Sequence, residues 1–308
     1  MTALSPLALG GALLLDVAVG EPPNRLHPVA RFGRTVPDRA WRRPRVAGVL
    51  VALAWPLAAA GVVGGAVLAA GRLSPFAAAG VAALALFVTT SLRRLLGTVR
   101  RVVDLSVADL GGAREALGAL AGRDAGGLSP AEVRSAAVES LAENLADGLV
   151  APIAWYAAWV GLAALAGPGS VAALAVGCAA AAWVKAVNTL DSMLGYRDRQ
   201  DGWAAARLDD AVMWVPARAS ALLLGVVTAR PGAVLRARAW LAGVPSPNSG
   251  WPMGTLAAAL DLRLEKPGVY SINPEGRLPG TTEARAALVR TGAAGLLAYA
   301  LAAVVTWF

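Results

Sequence analysis

Long apolar stretches, separated by polar segments, run along this chain from one end to the other. A membrane-spanning helix needs about 20 mostly apolar residues. Six stretches approach that length: Leu4–Val19, Val46–Ala70, Pro75–Leu92, Leu149–Ala166, Val171–Val187 and Ala286–Trp307. The pattern therefore predicts an all-α, polytopic integral membrane protein with about six (five to eight) transmembrane helices, in which polar cytoplasmic loops form the functional site.

A seventh apolar stretch, Ala211–Thr228, is interrupted by Pro216 and Arg218. An Arg at the centre of a span costs about 2.5–3.5 kcal/mol on insertion. We therefore expect this stretch to be re-entrant or to lie at the membrane interface, which leaves six crossings. Seven crossings are the alternative.

The composition favours the same class of protein. Of the 308 residues, 57% are hydrophobic and 16% are charged, whereas soluble domains carry about 25% charged residues. The simplest organisation is a single integral membrane domain over residues 1–308. Its larger cytoplasmic loops are expected at about 20–45, 93–148 and 188–285.

The distribution of positive charge predicts the orientation. Arg residues concentrate in those three loops, and the turns on the other side carry few charges. Basic loops remain on the cytoplasmic side. We therefore expect a multi-pass protein of the cell (inner, cytoplasmic) membrane with its site facing the cytoplasm. The formal net charge of +8 is attributed to contact with anionic lipid, and no nucleic-acid partner is expected.

Two residue counts narrow the chemistry. The chain has one cysteine, Cys178, and one histidine, His27. This excludes a disulfide framework, a thiolate metal cluster and any site that needs two histidines. The first apolar stretch has no basic segment before it and ends in a poor cleavage region, so we interpret it as a retained helix and not as a signal peptide.

The densest polar motif places Glu139, Glu143 and Asp147 at intervals of four residues. This spacing stacks three carboxylates on one face of a helix, where like charges repel. A divalent cation or a cationic substrate group would neutralise that face, and Asn144 lies within it. The alternative is a solvated acidic surface, which the adjoining apolar span makes less attractive.

A second motif ends the fifth apolar stretch, where Lys185, Asn188 and Ser192 share a helical face beside Asp191 and Tyr196. Only two of the 28 basic residues are lysines, Lys185 and Lys266. A compact ammonium suits a phosphate, whereas the alternative is that Lys185 extends towards lipid headgroups.

A third motif comprises Arg207, Asp209 and Asp210, for which metal binding and pairing with a helix dipole are equal alternatives. Two later loops, 246–252 and 265–270, contain Gly-rich turns that can offer backbone N–H groups to phosphate. Neither has the spacing of a Walker or a Rossmann loop, so alone they are a weak signal.

The first polar loop carries further candidates. Asp16 is costly near the end of an apolar span and is expected to face protein rather than lipid. Glu21, His27 and Arg31 follow it. For a single histidine beside Pro28, a local contact within the loop is the default interpretation.

Taken together, these segments resemble a known family. The matching motifs, in chain order, are LLLD ending at Asp16, GEP around Glu21, HPV from His27, ESLAENLADG from Glu139, KAVNTLDSM from Lys185, RLDD from Arg207, PAR ending at Arg218, PNSGWP around Asn248 and LEKPGVY ending at Tyr270. They resemble adenosylcobinamide-phosphate synthase, the CobD/CbiB membrane enzymes of cobalamin biosynthesis. Glu21 stands where the family pattern has Asp.

The resemblance implies an amide-forming ligase that depends on ATP and Mg²⁺. It would join adenosylcobyric acid, a corrinoid carboxylate, to (R)-1-aminopropan-2-yl phosphate and give adenosylcobinamide phosphate. The corrinoid is a substrate and not a cofactor, and a membrane-edge cavity would hold it. We also expect the protein to form a homo-oligomer or to associate with other membrane enzymes of cobalamin assembly. The alternative function is a membrane transporter or receptor for an anionic ligand.

These considerations select three groups of candidate residues. The catalytic candidates are Glu139, Glu143, Asp147, Lys185 and Asp191. The substrate-binding candidates are Asp16, Glu21, His27, Arg31, Asn144, Asn188, Ser192, Tyr196, Arg207, Arg218, Asn248, Glu265, Lys266 and Tyr270. The metal candidates are Glu143, Asp147, Asp209 and Asp210.

Overall fold

The computed structural model describes residues 3–23, 25–36, 44–118, 120, 124–167, 169–195 and 199–307. The helices are α1 (Leu4–Ala18), α2 (Pro28–Thr35), α3 (Arg45–Gly71), α4 (Pro75–Thr89), α5 (Leu92–Ala108), α6 (Leu110–Leu117), α7 (Pro130–Leu145), α8 (Ala151–Ala166), α9 (Ser170–Leu194), α10 (Trp203–Val212), α11 (Trp214–Val227), α12 (Gly232–Ala237), α13 (Gly250–Leu260) and α14 (Thr281–Trp307). A π-turn covers Ala146–Val150 and a 3₁₀ turn covers Arg238–Gly243. One antiparallel hairpin, β1 (Leu264–Lys266) and β2 (Tyr270–Ile272), completes the described elements.

The predicted class, an all-α polytopic membrane protein, is confirmed. Five segments are long and apolar enough to cross a membrane: Arg45–Gly71, Pro75–Ala108, Pro130–Ala166, Ser170–Leu194 and Thr281–Trp307. Helices α10 and α11 add a sixth if together they form one broken span. The count agrees with the prediction of about six transmembrane helices.

The first predicted span is shorter than expected. Helix α1 has 15 residues, whereas a straight helix needs about 20 to cross the hydrocarbon core. It ends before Gly20, which has a φ of +73° and is followed by Glu21 and two prolines that cannot continue a helix. In the interrupted stretch Ala211–Thr228 the helices break at Met213. Whether that stretch crosses the membrane stays a prediction.

The chain packs as two compact units. Unit 1 comprises Met1–Ser91, Asp147–Met213 and Ala298–Phe308, and unit 2 comprises Leu92–Ala146 and Trp214–Leu297. The prediction that residues 1–308 act as a single membrane domain remains a prediction.

In unit 1, α3 and α8 pack against α9, and α1 packs against α4. Local sequence signals set the helix ends. The Ser74 hydroxyl accepts the Ala77 N–H at the start of α4, as N-terminal capping residues do. Helix α8 ends at Gly167, whose left-handed φ of +76° few other residues adopt. The single cysteine, Cys178, is buried in α9.

In unit 2, α5 and α6 pack against α7, and α11 and α12 pack against α13. Helix α7 begins with a capping box between Ser129 and Glu132. The hairpin turn has Pro267 and then Gly268, which adopts a φ of +73°, and the Val269 N–H donates to the Lys266 carbonyl at 2.9 Å. Pro followed by a Gly with positive φ is the sequence of a type II turn, and this turn places Lys266 opposite Tyr270.

Candidate active site

A cluster of charged and polar side chains surrounds Lys185 in unit 1. The Asn188 amide nitrogen lies 3.4 Å from an oxygen of Asp147 and 3.4 Å from an oxygen of Asp209. The half-buried Lys185 interacts electrostatically with Asp147, Glu21 and Asp209. We call Glu21, Asp147, Lys185, Asn188 and Asp209 the Lys185 cluster. It holds one ammonium and three carboxylates.

The π-turn that presents Asp147 has a cause in the sequence. Pro152, in the first turn of α8, has no N–H and cannot donate to the carbonyl of Gly148 four residues before it. That carbonyl instead accepts the Ser91 N–H at 3.1 Å. The backbone relieves the mismatch as a π-turn over Ala146–Val150, a distortion that is frequent at functional sites.

This turn corrects the prediction of three carboxylates on one continuous α-helical face. Helix α7 ends at Leu145, so Glu139 and Glu143 belong to it and Asp147 does not. Glu139 is not part of a solvated surface, because it is only 1% exposed, whereas Glu143 and Asp147 are half-buried.

The loop candidates of unit 1 are held largely by local contacts. His27 caps α2: its Nδ1 accepts the Val29 N–H at 3.2 Å, and its Nε2 lies 3.7 Å from a Glu21 oxygen. Both ring nitrogens are therefore engaged. The exposed Arg31 donates to the Arg25 carbonyl at 3.3 Å. Asp16 is 1% exposed at the end of α1, as its position in an apolar span predicts.

The remaining unit 1 candidates lie near the ends of α9 and α10. The exposed Ser192 hydroxyl donates to the Asn188 carbonyl at 2.9 Å. Asp191 interacts electrostatically with Asp210, and Asp210 lies 3.4 Å from the guanidinium of Arg207. Tyr196 lies outside the described residues.

Two carboxylates of the Lys185 cluster suit a magnesium ion. No group of three His, Cys, Asp or Glu side chains that could hold a metal occurs in the part of the chain that the structure describes. Mg²⁺, however, usually binds through one or two carboxylates together with water and substrate phosphates. Asp147 and Asp209 meet at one amide, that of Asn188, and supply such a donor pair. Of the other metal candidates, Asp210 pairs with Arg207 and Glu143 belongs to unit 2.

Unit 2 contains a polar cavity of about 270 Å³. Three candidates from the sequence, Glu143, Lys266 and Tyr270, line it. The other described residues that line it are Leu120, Ser140, Val244, Pro245, Ser246, Ser249 and Met253. We call it the serine cavity.

Glu139 is hydrogen-bonded to Tyr270, a residue that lines the serine cavity. Its carboxylate accepts hydrogen bonds from the Tyr270 hydroxyl and, at 3.1 Å, from the Ser135 hydroxyl. Ser135 also accepts the Glu265 N–H at 2.9 Å, which attaches the hairpin to α7. These contacts assign Glu139 a positioning role for Tyr270.

Arg218 and Asn248 hold the loop that lines one wall of this cavity. The Arg218 guanidinium donates to the Asn248 side-chain oxygen at 2.7 Å and to the Pro247 carbonyl at 3.3 Å. It also stacks on Trp214, 4.3 Å from the ring centroid, and lies 5.0 Å from that of Trp251. Arg218 is thus committed to protein contacts.

Two further candidates of unit 2 have local partners. The Asn144 amide donates to the Ser140 carbonyl at 2.9 Å. Glu265 lies 3.3 Å from the Arg263 guanidinium.

Sequence reasoning missed two sets of polar residues. Arg199 and Asp201 form a buried bidentate ion pair, at 3.0 and 2.6 Å, in a loop without periodicity to indicate it. The loop 246–252 was selected for its backbone N–H groups, but its serine side chains were not, although the Ser-Pro-Asn-Ser sequence from Ser246 is typical of a turn closed by a serine hydroxyl.

Comparison with known proteins agrees with the resemblance. The CobD/Cbib protein family matches residues 9–294. The chain belongs to the CobD/Cbib family. It is 39% identical over 316 residues to the probable cobalamin biosynthesis protein CobD of Methanothrix thermoacetophila, covering 95% of this chain and 94% of that protein.

Other relatives of this family carry the same name. The chain is 40% identical over 296 residues to the cobalamin biosynthesis protein CobD of Mycobacterium tuberculosis, with 90% of this chain and 88% of the relative covered. It is 37% identical over 280 residues to that of Pelobacter propionicus, with 86% and 81% covered. No solved structure matches the chain.

Proposed function

We propose that this protein is an ATP- and Mg²⁺-dependent ligase. It joins the free carboxylate of adenosylcobyric acid to the amine of (R)-1-aminopropan-2-yl phosphate, and the product is adenosylcobinamide phosphate. The observation that carries the proposal is the family match over residues 9–294, which supports a role in cobalamin biosynthesis directly.

The reaction needs an activated acid, because a carboxylate does not react with an amine. Phosphoryl transfer from ATP to the carboxylate releases ADP, and attack by the amine then forms the amide and releases phosphate. Bound Mg²⁺ would neutralise charge on the phosphates, and Asp147 and Asp209 would hold it through their oxygens. Lys185 would stabilise negative charge on the transferring group.

An apolar cavity of unit 1 supports corrinoid binding beside these residues. It has a volume of about 550 Å³ and is lined by residues of α2, α3, α4 and α9, with Lys185 among them. This volume lies within the roughly 300–1,000 Å³ typical of ligand pockets. We propose that it accommodates part of the corrinoid and directs its carboxylate towards Lys185.

The proposal includes a location. The chain is a multi-pass membrane protein, and we propose from its Arg-rich loops that the site lies on the cytoplasmic face of the cell membrane. ATP is available on that face. We further propose that the protein forms a homo-oligomer or a complex with other membrane enzymes of the pathway.

The test uses the full-length protein, purified in detergent. It is incubated with adenosylcobyric acid, (R)-1-aminopropan-2-yl phosphate, ATP and Mg²⁺, and products are followed by mass spectrometry. We expect adenosylcobinamide phosphate together with equal amounts of ADP and phosphate, and no product when ADP replaces ATP. Binding of the anionic substrates without any ATP-dependent product would overturn the ligase and favour a transporter or receptor.

A further inference from the structure

We propose that the serine cavity of unit 2 binds the amino-alkyl phosphate substrate, a short carbon chain with one ammonium and one phosphate. The inference rests on the proposed function and assigns one of its substrates to a place in the fold. Its basis is that one small cavity is lined by a cationic side chain, several hydroxyl groups and a carboxylate.

The phosphate end is served by Lys266 and serine hydroxyls. Lys266 is half-buried in β1 and forms no ion pair within the described part of the chain. The Ser246 oxygen accepts the N–H groups of Asn248 and Ser249 at 3.2 and 3.3 Å. Because these bonds use the two acceptor sites of the hydroxyl, its hydrogen remains to be donated. A phosphate oxygen, which only accepts, is the fitting partner.

The ammonium end is served by Glu143. Of the Glu139 and Glu143 carboxylates of α7, that of Glu139 accepts hydrogen bonds from Tyr270 and Ser135 and is not among the described residues that line the cavity. Glu143 lines the cavity itself. A cavity that contains both a carboxylate and the Lys266 ammonium suits a ligand carrying charges of both signs, because each end of such a ligand meets a charge of opposite sign.

The volume selects a small ligand. A cavity of about 270 Å³ lies just below the roughly 300–1,000 Å³ of most ligand pockets. That suits a three-carbon amino-alkyl phosphate. Apolar surface for the carbon chain comes from Leu120, Val244, Pro245 and Met253.

The walls of the cavity are fixed before any ligand arrives. Arg218 and Asn248 hold the loop that carries Ser246 and Ser249. The type II turn fixes Lys266 opposite Tyr270. Such preorganisation lowers the entropic cost of binding a small ligand.

Calorimetric titration of the detergent-purified protein, without ATP or corrinoid, tests this assignment. The probes are (R)-1-aminopropan-2-yl phosphate, propan-2-yl phosphate, which lacks the ammonium, and ATP. We expect Lys266→Gln to weaken both alkyl phosphates by at least about tenfold, the usual loss for one charged hydrogen bond. Glu143→Gln should weaken only the aminated probe by a similar factor.

Three further variants complete the design. Ser249→Ala removes a cavity hydroxyl and leaves the backbone N–H bonded to Ser246, so a weakening of a few-fold is expected in a normally folded protein. Arg238→Gln and Glu275→Gln remove charges from exposed positions of unit 2 and should bind all probes like the wild type. Melting temperatures identify any variant that fails to fold.

The outcomes separate this inference from the proposed function. Ligation with unchanged affinity and KM for the amino-alkyl phosphate in the Lys266, Glu143 and Ser249 variants would overturn the cavity assignment and leave the ligase intact. A loss of ATP binding, and not of alkyl phosphate binding, would make the cavity a nucleotide site and likewise overturn it. Selective binding without any ligation would support the cavity and overturn the ligase.

Discussion

The Lys185 cluster and the serine cavity use the same types of side chain in opposite ways. In the cluster, the charges face one another: Lys185 interacts with three carboxylates. In the cavity, Lys266 has no ionic partner among the described residues, and the serine hydroxyls line open space.

This difference shows what each arrangement is suited to do. Mutually compensating charges are costly to break singly, because the partner left behind stays uncompensated. Groups that line an open cavity can exchange water for a ligand and contribute little to folding. The two lysines of the chain therefore offer a direct comparison, since one should matter for stability and the other for binding.

The largest expected effect follows from removing each ammonium. Lys185→Met removes the ammonium that interacts with Glu21, Asp147 and Asp209 and should destabilise the protein by about 3 kcal/mol. Lys266→Met should change stability by less than about 0.5 kcal/mol. Thermal unfolding in detergent, followed by tryptophan fluorescence, measures both. Equal melting temperatures for the two variants would contradict the comparison.

A large loss of activity with little loss of stability is expected for Asp147→Asn, because Glu21 and Asp209 remain as partners of Lys185. The amide keeps the size of the side chain and an oxygen that faces Asn188, but it removes the charge proposed to hold Mg²⁺. Ligation should fall by at least about a hundredfold. The matched control is Asp124→Asn, an exposed position in unit 2, which should be fully active. Near-normal turnover of Asp147→Asn at limiting Mg²⁺ would eliminate Asp147 as a metal ligand.

A smaller effect on activity should show whether Lys185 binds a phosphate or only supplies a positive charge. The variant Lys185→Arg keeps a positive charge for the three carboxylates, so its melting temperature should stay within a few degrees of the wild type. A planar guanidinium does not replace a compact ammonium in a tight site, so ligation should fall roughly tenfold. Full activity in purified membranes would reduce Lys185 to a counter-charge and make Lys266 the stronger candidate for phosphate.

The smallest effect concerns the hairpin turn of the serine cavity. A Cβ at Gly268 meets no atom within 4 Å, but the residue has a φ of +73°. Gly268→Ala should therefore lower the free energy of unfolding only through strain in the backbone, by about 1 kcal/mol. It should raise the KM for the amino-alkyl phosphate a few-fold. Gly243→Ala, which is equally open and has no positive φ, should leave the KM unchanged. An identical response of the two variants would show that the turn does not position Lys266.

The sequence was sufficient for the fold class, whereas the roles of the site residues stay predictions. Apolar length predicts spans because the requirement of the bilayer is nearly independent of tertiary structure. The motif around Glu139, the motif around Lys185 and the loop near Ser246 all lie at polar clusters or cavities of the structure.

The sequence could not predict which of these motifs contribute to the Lys185 cluster and which to the serine cavity. A helical period assumes an uninterrupted α-helix, and the chain instead leaves α-helical geometry after Leu145 and forms a π-turn over Ala146–Val150. Pairings between distant segments, such as Asn188 with Asp209 or Arg218 with Asn248, leave no period along the chain. The sequence selects Arg218 by its type, but only its contacts show that it supports a loop.

The burial of Cys178 makes the native chain a ready background for accessibility reporters. It is the only sulfhydryl among 308 residues, and it is 1% exposed within α9, so a maleimide should reach it only after denaturation. Single cysteines introduced at exposed positions, Gln200→Cys and Glu275→Cys, can then be labelled in sealed vesicles without first replacing the native cysteine. Protection of both from a membrane-impermeant reagent applied to the outer face would fix the sidedness of the long polar segment, and labelling there would reverse it.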